Sequence, residues 1–360
     1  MTSPATSTFV DTDIRVNEVG VDDLFNLYSR AGFLYPAKLK RLAPYLSLIR
    51  ENWRKALSGG ERILMIFTHH DDQANAASAI STWRSTNRGW VSQHLVSDSS
   101  SPLSTRSVLL GAQRTKIERG DDDSQQNWFR PENRFPARVF GSVQSSLGEE
   151  YAAVRPYSMF TINQKTRFAH TTSDARIVRY EESHAASLLW LASAAEGAAF
   201  LRAEELSSDP ELKLAGDIYS SLGLHRSRSI WLAYEPNRNE PVAAVLAYRG
   251  PLGMNFSFLE NRCHLILHPS ATPHAVAAAV APLLEAARLA YEDFELDEIP
   301  IVAPAANAAL LTQAGLDFVR NYNQSIWMRE AFEAWYSHVD HFYSRLISRA
   351  ERHSSVVRIG

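Results

Sequence analysis

The sequence predicts a mixed α/β protein of two domains, each a mixed, mostly antiparallel sheet flanked by helices. Three observations predict it. At 360 residues the chain exceeds one ordinary domain. Strand-like alternation and helix-like spacing of apolar residues take turns along its length. Finally, the order strand, two helices, three strands, helix, strand, helix, strand or hairpin occurs once in each half. The two copies share little residue identity, so the repeat is one of element order.

The first copy opens after a small, polar leader at 1–12. Ile14 to Val19 alternates as a strand. Asp22 and Asp23 then start a helix, where acidic groups suit the positive end of the dipole. Leu39, Leu42, Leu46, Ile49 and Trp53 mark a second helical region over 36–57, and Ser58-Gly59-Gly60 stops it. Three strands are expected at 62–68, 76–83 and 89–96, joined by turn-rich segments. A helix over 102–118, a short strand at Trp128-Phe129-Arg130, a helix over 133–147 and a strand or hairpin over 151–162 complete the domain at 13–164.

A polar stretch at 165–174 reads as the linker to a second domain at 175–330. There a strand (175–180), a helix (182–197) and a second helix (203–222) interrupted at Ser208-Asp209-Pro210 precede strands at 229–234 and 242–248. Met254 to His268 reads as one strand. It meets a Pro-Ser-Ala-Thr-Pro turn and an Ala-rich helix over 274–293. A strand at 299–302, a short helix ending at Gly315 and a closing strand follow. The tail at 331–360 adds a helix with Phe332, Trp335, Val339, Phe342, Leu346 and Ile347 near a 3.6-residue period. The first half has no such helix, which leaves it to pack on a domain face or pair with a second copy as a homodimer.

Composition sets the limits. The hydrophobic fraction of 45% supports real cores, and the net charge of −3 gives no general pull toward nucleic acid or anionic membrane. The leader lacks the apolar run of a signal peptide, and charges break every apolar stretch short of a membrane span. A single cysteine, Cys263, excludes an internal disulfide and fits a cytoplasmic protein.

The element order resembles the GNAT N-acyltransferase superfamily, and its two copies resemble a tandem GNAT arrangement from Ile14 to Glu330. The resemblance implies sheets splayed near their fourth and fifth strands. It also implies acetyl-CoA or another acyl-CoA as acyl donor, with a small-molecule or peptide amine as acceptor. In the family, backbone N–H groups at the start of the long helix cradle the coenzyme pyrophosphate. Leu265-Ile266-Leu267-His268-Pro269 matches the strand end before that loop. Positions holding Arg, Gly, Gly and Gly in the family read Thr272, Pro273, Ala275 and Ala277 here. The implied coenzyme contacts are therefore Leu267, His268, Pro269, Thr272, His274, Ala275, Val276 and Ala277. In the first half the matching stretch is Val96 to Arg106, with Asp98 opposing an anion, and the second half is taken as the better-kept site.

The family's acid is a tyrosine four residues before the glycine that closes the short helix. Here those positions are Leu311 and Gln144, and neither supplies that proton. For the base, Glu260 and His264 lie four apart on the expected fourth strand and so share a face; the alternative is a polar pair facing solvent. His268 precedes Pro269 and caps the turn, and His94 sits on the analogous strand of the first half. His69-His70-Asp71-Asp72 reads as a hairpin turn and Arg119-Gly120-Asp121 as a solvated loop. Arg84, Arg88, Arg226, Arg228 and Arg249 near strand ends are candidates for an anionic ligand, against the plainer reading of surface charge. Three functions compete: N-acyltransferase through the second half, a silent GNAT-like module binding a ligand or protein, and a Fem-type aminoacyltransferase.

Overall fold

The computed structural model describes residues 14–70, 75–163 and 174–357. The expected leader, Asp71 and Asp72, and the linker but for its last residue lie outside them. The first half contributes β1 (Ile14–Val16), α1 (Val21–Arg30), α2 (Pro36–Leu42), α3 (Leu46–Ser58), β2 (Leu64–His70), β3 (Ala76–Arg84), β4 (Gly89–Ser97), α4 (Pro102–Arg119), β5 (Ser124–Phe129), α5 (Arg134–Phe140) and β6 (Ala152–Asn163). The second contributes β7 (Arg176–Arg179), α6 (Ala185–Ala203), α7 (Lys213–Ser220), β8 (Ser227–Tyr234), β9 (Pro241–Arg249), β10 (Cys263–Leu267), α8 (Pro273–Arg288), β11 (Glu298–Pro304), α9 (Ala308–Gln313), β12 (Asp317–Met328) and α10 (Phe332–Val357). None of these helices is long and apolar enough to cross a membrane.

All twelve strands join one sheet in the order β1-β2-β3-β4-β5-β12-β6-β11-β10-β9-β8-β7. Most pairs are antiparallel; β4 with β5 and β10 with β11 are parallel, as a helical crossover between them requires. The halves interlock through their last strands. β6 pairs with β11 of the second half, and β12 inserts between β5 and β6. Side chains of β12 are thereby delivered beside first-half strands.

Alternation along the strands sends their apolar residues to opposite faces. On β3 and β4, Ala79, Trp83 and Val91 pack with α1 and α3, while Ile80 and Trp90 pack with α4 and α10. On β9, Val245 and Ala247 meet α8, whereas Leu246 and Tyr248 meet α6. α10 lies on α4 and α5: Trp335 stacks on Phe140 at 5.8 Å and 6°, and its Nε1 donates to the Val139 carbonyl at 2.9 Å.

Three elements differ from the sequence expectation. Of the second helix expected over 203–222, only α7 at Lys213–Ser220 forms. The helix expected over 133–147 stops at Phe140, and only a 3₁₀ turn follows at Gln144–Ser146. Met254 to Arg262 is not strand but a looping segment with a 3₁₀ turn at Leu259–Asn261. Gly253 (φ 83°) and Phe258 (φ 60°) turn its backbone into the left-handed region. Its alternating Met254, Phe256 and Phe258 bury in the same core as α1 and α3. The Trp53 indole holds the Gly253 carbonyl at 2.9 Å, and the Asn52 amide holds that of Leu252 at 3.0 Å.

Candidate functional site

The parallel ladder of β4 with β5 covers only Gly89 to Val91 against Ser124 to Gln126. Beyond it β4 carries a bulge, since Ala79 faces Val96 while Ser81 faces Gln93. His94 takes a left-handed φ of 58° there. A bulge bends its strand and leaves the extra residue unpaired, so β4 and β5 part at this point. The parting opens a cavity of about 430 Å³, within the range of small-ligand sites.

The floor is set by β4 and β5, through Ser92, Gln93, His94 and Leu95 and through Asn127, Trp128 and Phe129. Phe135 and Phe140 of α5 supply apolar wall. The segment from Phe33 to Arg41, the β9–β10 loop from Asn255 to Leu259, and Arg320 and Tyr322 of β12 close the rest. One site is thus assembled from both halves.

Its charge is one-sided. Lys38, Arg41, Arg130 and Arg320 line the cavity, and the described lining contains no Asp or Glu. The Lys38 ammonium stands 3.6 Å from the Phe33 ring centroid. Burial, with the repulsion of Arg130, Arg41 and Arg320, pushes its pKa down to about 8. Arg130 donates to the Tyr35 hydroxyl at 3.3 Å, and that bond pulls the phenol below its ordinary pKa. Arg41 donates to the Phe256 carbonyl.

Residues of the floor also hold polar atoms that are packed away without partners. His94 lies between Phe256 (4.4 Å) and Trp53 (5.6 Å), and burial holds its imidazole neutral, well below the usual pKa. Its Nδ1 is buried with no hydrogen-bond partner, as are the Trp128 Nε1 and both amide atoms of Asn127. Asn127 is 2% exposed. Such groups cost stability unless something pairs with them. Behind Ser92, Lys116 is fully buried, and its Nζ donates to Ser92 Oγ at 3.0 Å.

The residues singled out in the second half are placed differently. Glu260 precedes β10 in the 3₁₀ turn rather than on the strand, so it does not alternate with His264. Nor do the two face solvent, at 2% and 0% exposed. Glu260 pairs with Arg226 at 2.7 Å, and Arg226 also holds the Ser85 carbonyl. His264 Nε2 lies 3.2 Å from Glu196 Oε1, while the other oxygen of Glu196 accepts from Tyr157 at 2.5 Å. β10 and β11 pair only at Cys263–Ile301 and His264–Val302, and Val302 belongs to a buried cluster with Trp128, Tyr157, Met159, Leu259 and Tyr322.

The expected coenzyme loop closes on itself. Leu267 ends β10, and His268 caps the turn through Nδ1, which accepts the Ser270 N–H at 3.2 Å. Trp190 stacks on the His268 ring at 4.6 Å. The Ala271 N–H goes to the His268 carbonyl, and Thr272 takes the N–H of Ala275 through Oγ1 and that of Val276 through its carbonyl. Pro269 and Pro273 have no N–H to offer. His274 and Ala277 fall near the start of α8, whose N-cap is Thr272. The start of α4 is similarly self-capped: Ser97, Ser99 and Ser101 hydroxyls accept from Ser99, Ser101 and Leu103, and Arg106 is held by Asp340 at 2.6 Å. At both helix starts several of the N–H groups that a pyrophosphate would need are thus already bonded within the chain.

The arginines near strand ends are also engaged. Arg228 pairs with Glu204 at 3.1 Å, Arg88 with Asp123 at 2.9 Å, Arg84 with the Arg62 carbonyl and Arg249 with that of Ala290. Cys263 is buried, with its thiol pushed up to about 12. His69 and His70 lie on β2, and among the described residues no group of three or more His, Cys, Asp or Glu is placed to hold a metal ion. The cations of the cavity escaped the sequence reading because they come from three distant segments. The usable signal was the run Phe33, Tyr35, Lys38, Arg41, an aromatic and basic face on one short helix and its approach.

No family model matches the chain, and neither does any curated protein. Among solved structures it is similar to a tandem GNAT protein from the clavulanic acid biosynthesis pathway, at 10% identity and a TM-score of 0.46, over 88% of this chain and 98% of that one. It is similar too to a GCN5-related N-acetyltransferase from Sphaerobacter thermophilus, at 11% identity and a TM-score of 0.46, over 88% of this chain and 96% of that one. Likeness of this degree carries no activity from those proteins to this chain.

Proposed function

We propose that this chain binds a small organic anion in the cavity between β4 and β5. One observation carries the proposal: four cationic side chains converge on the cavity with no carboxylate in its described lining. Like charges held together raise each other's energy, and an anion relieves all of them at once. The aromatic body of the site, Phe33, Phe256 and Phe140, adds apolar surface for a carbon skeleton.

Acyl transfer from acetyl-CoA or another acyl-CoA to an amine is the second reading, favoured by the splay of two parallel strands beside a bulge. Against it stand the self-capped starts of α4 and α8. Glu260 and His264, its candidate bases, would first have to leave their buried partners. Calorimetric titration separates the two. Glutarate binding at one site, with no heat from millimolar acetyl-CoA, is the expected result. Saturable acetyl-CoA binding, lost in Ala275→Glu, would restore acyl transfer at the second half. No glutarate binding would remove the anion site.

A further inference from the structure

Resting on the cavity as an anion site, we infer that its ligand is an aldehyde or keto acid, whose carbonyl carbon forms an imine with the amine of Lys38. Lys38 lines the cavity and is half-buried rather than packed away. Its Nζ stands over two rings, 3.6 Å from the Phe33 centroid and 5.1 Å from that of Tyr35. Among the described residues no carboxylate pairs with it and no acceptor takes its hydrogen bonds. Other lysines are engaged: Lys55 pairs with Glu51 at 2.7 Å, Lys213 with Glu211 at 3.2 Å, and Lys116 donates to Ser92.

This placement favours the neutral amine, which has the lone pair that a carbonyl carbon needs. Burial and the repulsion of Arg130, Arg41 and Arg320 hold its pKa at about 8. About one-quarter is then neutral at pH 7.5, against on the order of one in a thousand for an ordinary lysine. The same arginines are suited to a carboxylate. A plain carboxylate leaves the amine unused, whereas an oxo acid engages both. In the step itself the Nζ lone pair forms the N–C bond, and the carbonyl π pair moves to oxygen, which takes a proton. That oxygen then leaves as water while the nitrogen pair forms C=N. Tyr35, its phenol pulled down by the bond from Arg130, is a proton donor in the same cluster. The protonated imine keeps the positive charge of the ammonium.

Matched probes test this. 4-Oxobutanoate and butanal share an aldehyde and differ by the carboxylate. Each is incubated with the protein and cyanoborohydride, which adds hydride to the imine carbon and leaves a stable secondary amine for peptide mass mapping. Lys40, exposed and outside the lining, is the internal reference. 4-Oxobutanoate should label Lys38 about 10-fold faster or more than Lys40, with a clearly smaller preference from butanal. Glutarate should protect Lys38 and leave Lys40 unchanged, and the fast-labelled site should vanish in Lys38→Arg. If glutarate binds but Lys38 is labelled no faster than Lys40, or butanal shows the same preference, the inference is overturned and the anion site stands. Failure of glutarate to bind overturns the anion site itself, so the two failures are distinguishable.

Discussion

Lys38 provides a prediction that can be worked from the cavity outward. Its pKa of about 8 in the free protein means that it is charged at pH 6.5 and neutral at pH 9.5. An anion favours the charged form, so affinity is full below pH 8 and falls as pH rises through that value and the higher pKa of the complex. A charge pair at 4 Å is worth about 4 kcal/mol at an effective dielectric of 20 and about 1 kcal/mol in water. Lys38 is half-buried, so about 1–2 kcal/mol is expected, a loss of roughly 5–30-fold. Glutarate suits the assay because its own charge is constant across that range. His94 stays neutral, and Tyr35, its phenol pulled down by Arg130, titrates with the same sign as Lys38. Calorimetry at both pH values should show the fall in wild type and in Tyr35→Phe, but not in Lys38→Met. Affinity constant within twofold from pH 6.5 to 9.5 would refute the placement of Lys38 against the ligand.

Other predictions concern what is buried. Glu260→Ala takes the carboxylate from buried Arg226, leaving it only the Ser85 carbonyl, so urea unfolding should show a loss of about 3–5 kcal/mol; an unchanged midpoint would mean that the pair does not support the fold. Burial lowers the Lys116 pKa to about 7, below its unfolded value, so its charge opposes folding below pH 7 and the penalty fades as pH rises toward the unfolded pKa. Lys116→Met should therefore gain stability, on the order of 1–3 kcal/mol, more at pH 6 than at pH 9; the opposite pH trend in chemical denaturation would count against it. Trp335→Ala removes the ring stacked on Phe140 and should cost about 3–5 kcal/mol, read as a lowered melting temperature.

Much of the fold was legible because local chemistry and packing agree. Ser101 before Pro102 and Thr272 before Pro273 announce helix starts, and the structure finds both as N-caps. Alternation misled at Met254 to Phe258, where every second residue is buried for a reason other than strand pairing: the loop lies over α1 and α3. Strand exchange left no local trace. Nothing in Asp317 to Met328 says that its register partner is β5 of the other half, and so Arg320 and Tyr322 could not be placed with Lys38 and Arg130. Glu260 and His264 attracted notice as polar residues four apart on an expected strand, sharing one face. Their polarity instead marked buried pairing with Arg226 and Glu196, which lie 34 and 68 positions away.

A working site built from both halves is tested most directly by Arg320→Glu, a charge reversal on the second half's last strand. Titrated with glutarate beside the wild type, the variant should lose measurable binding, while its melting temperature stays near that of the wild type because Arg320 is only half-buried. Undiminished glutarate binding by a folded Arg320→Glu protein would contradict the account.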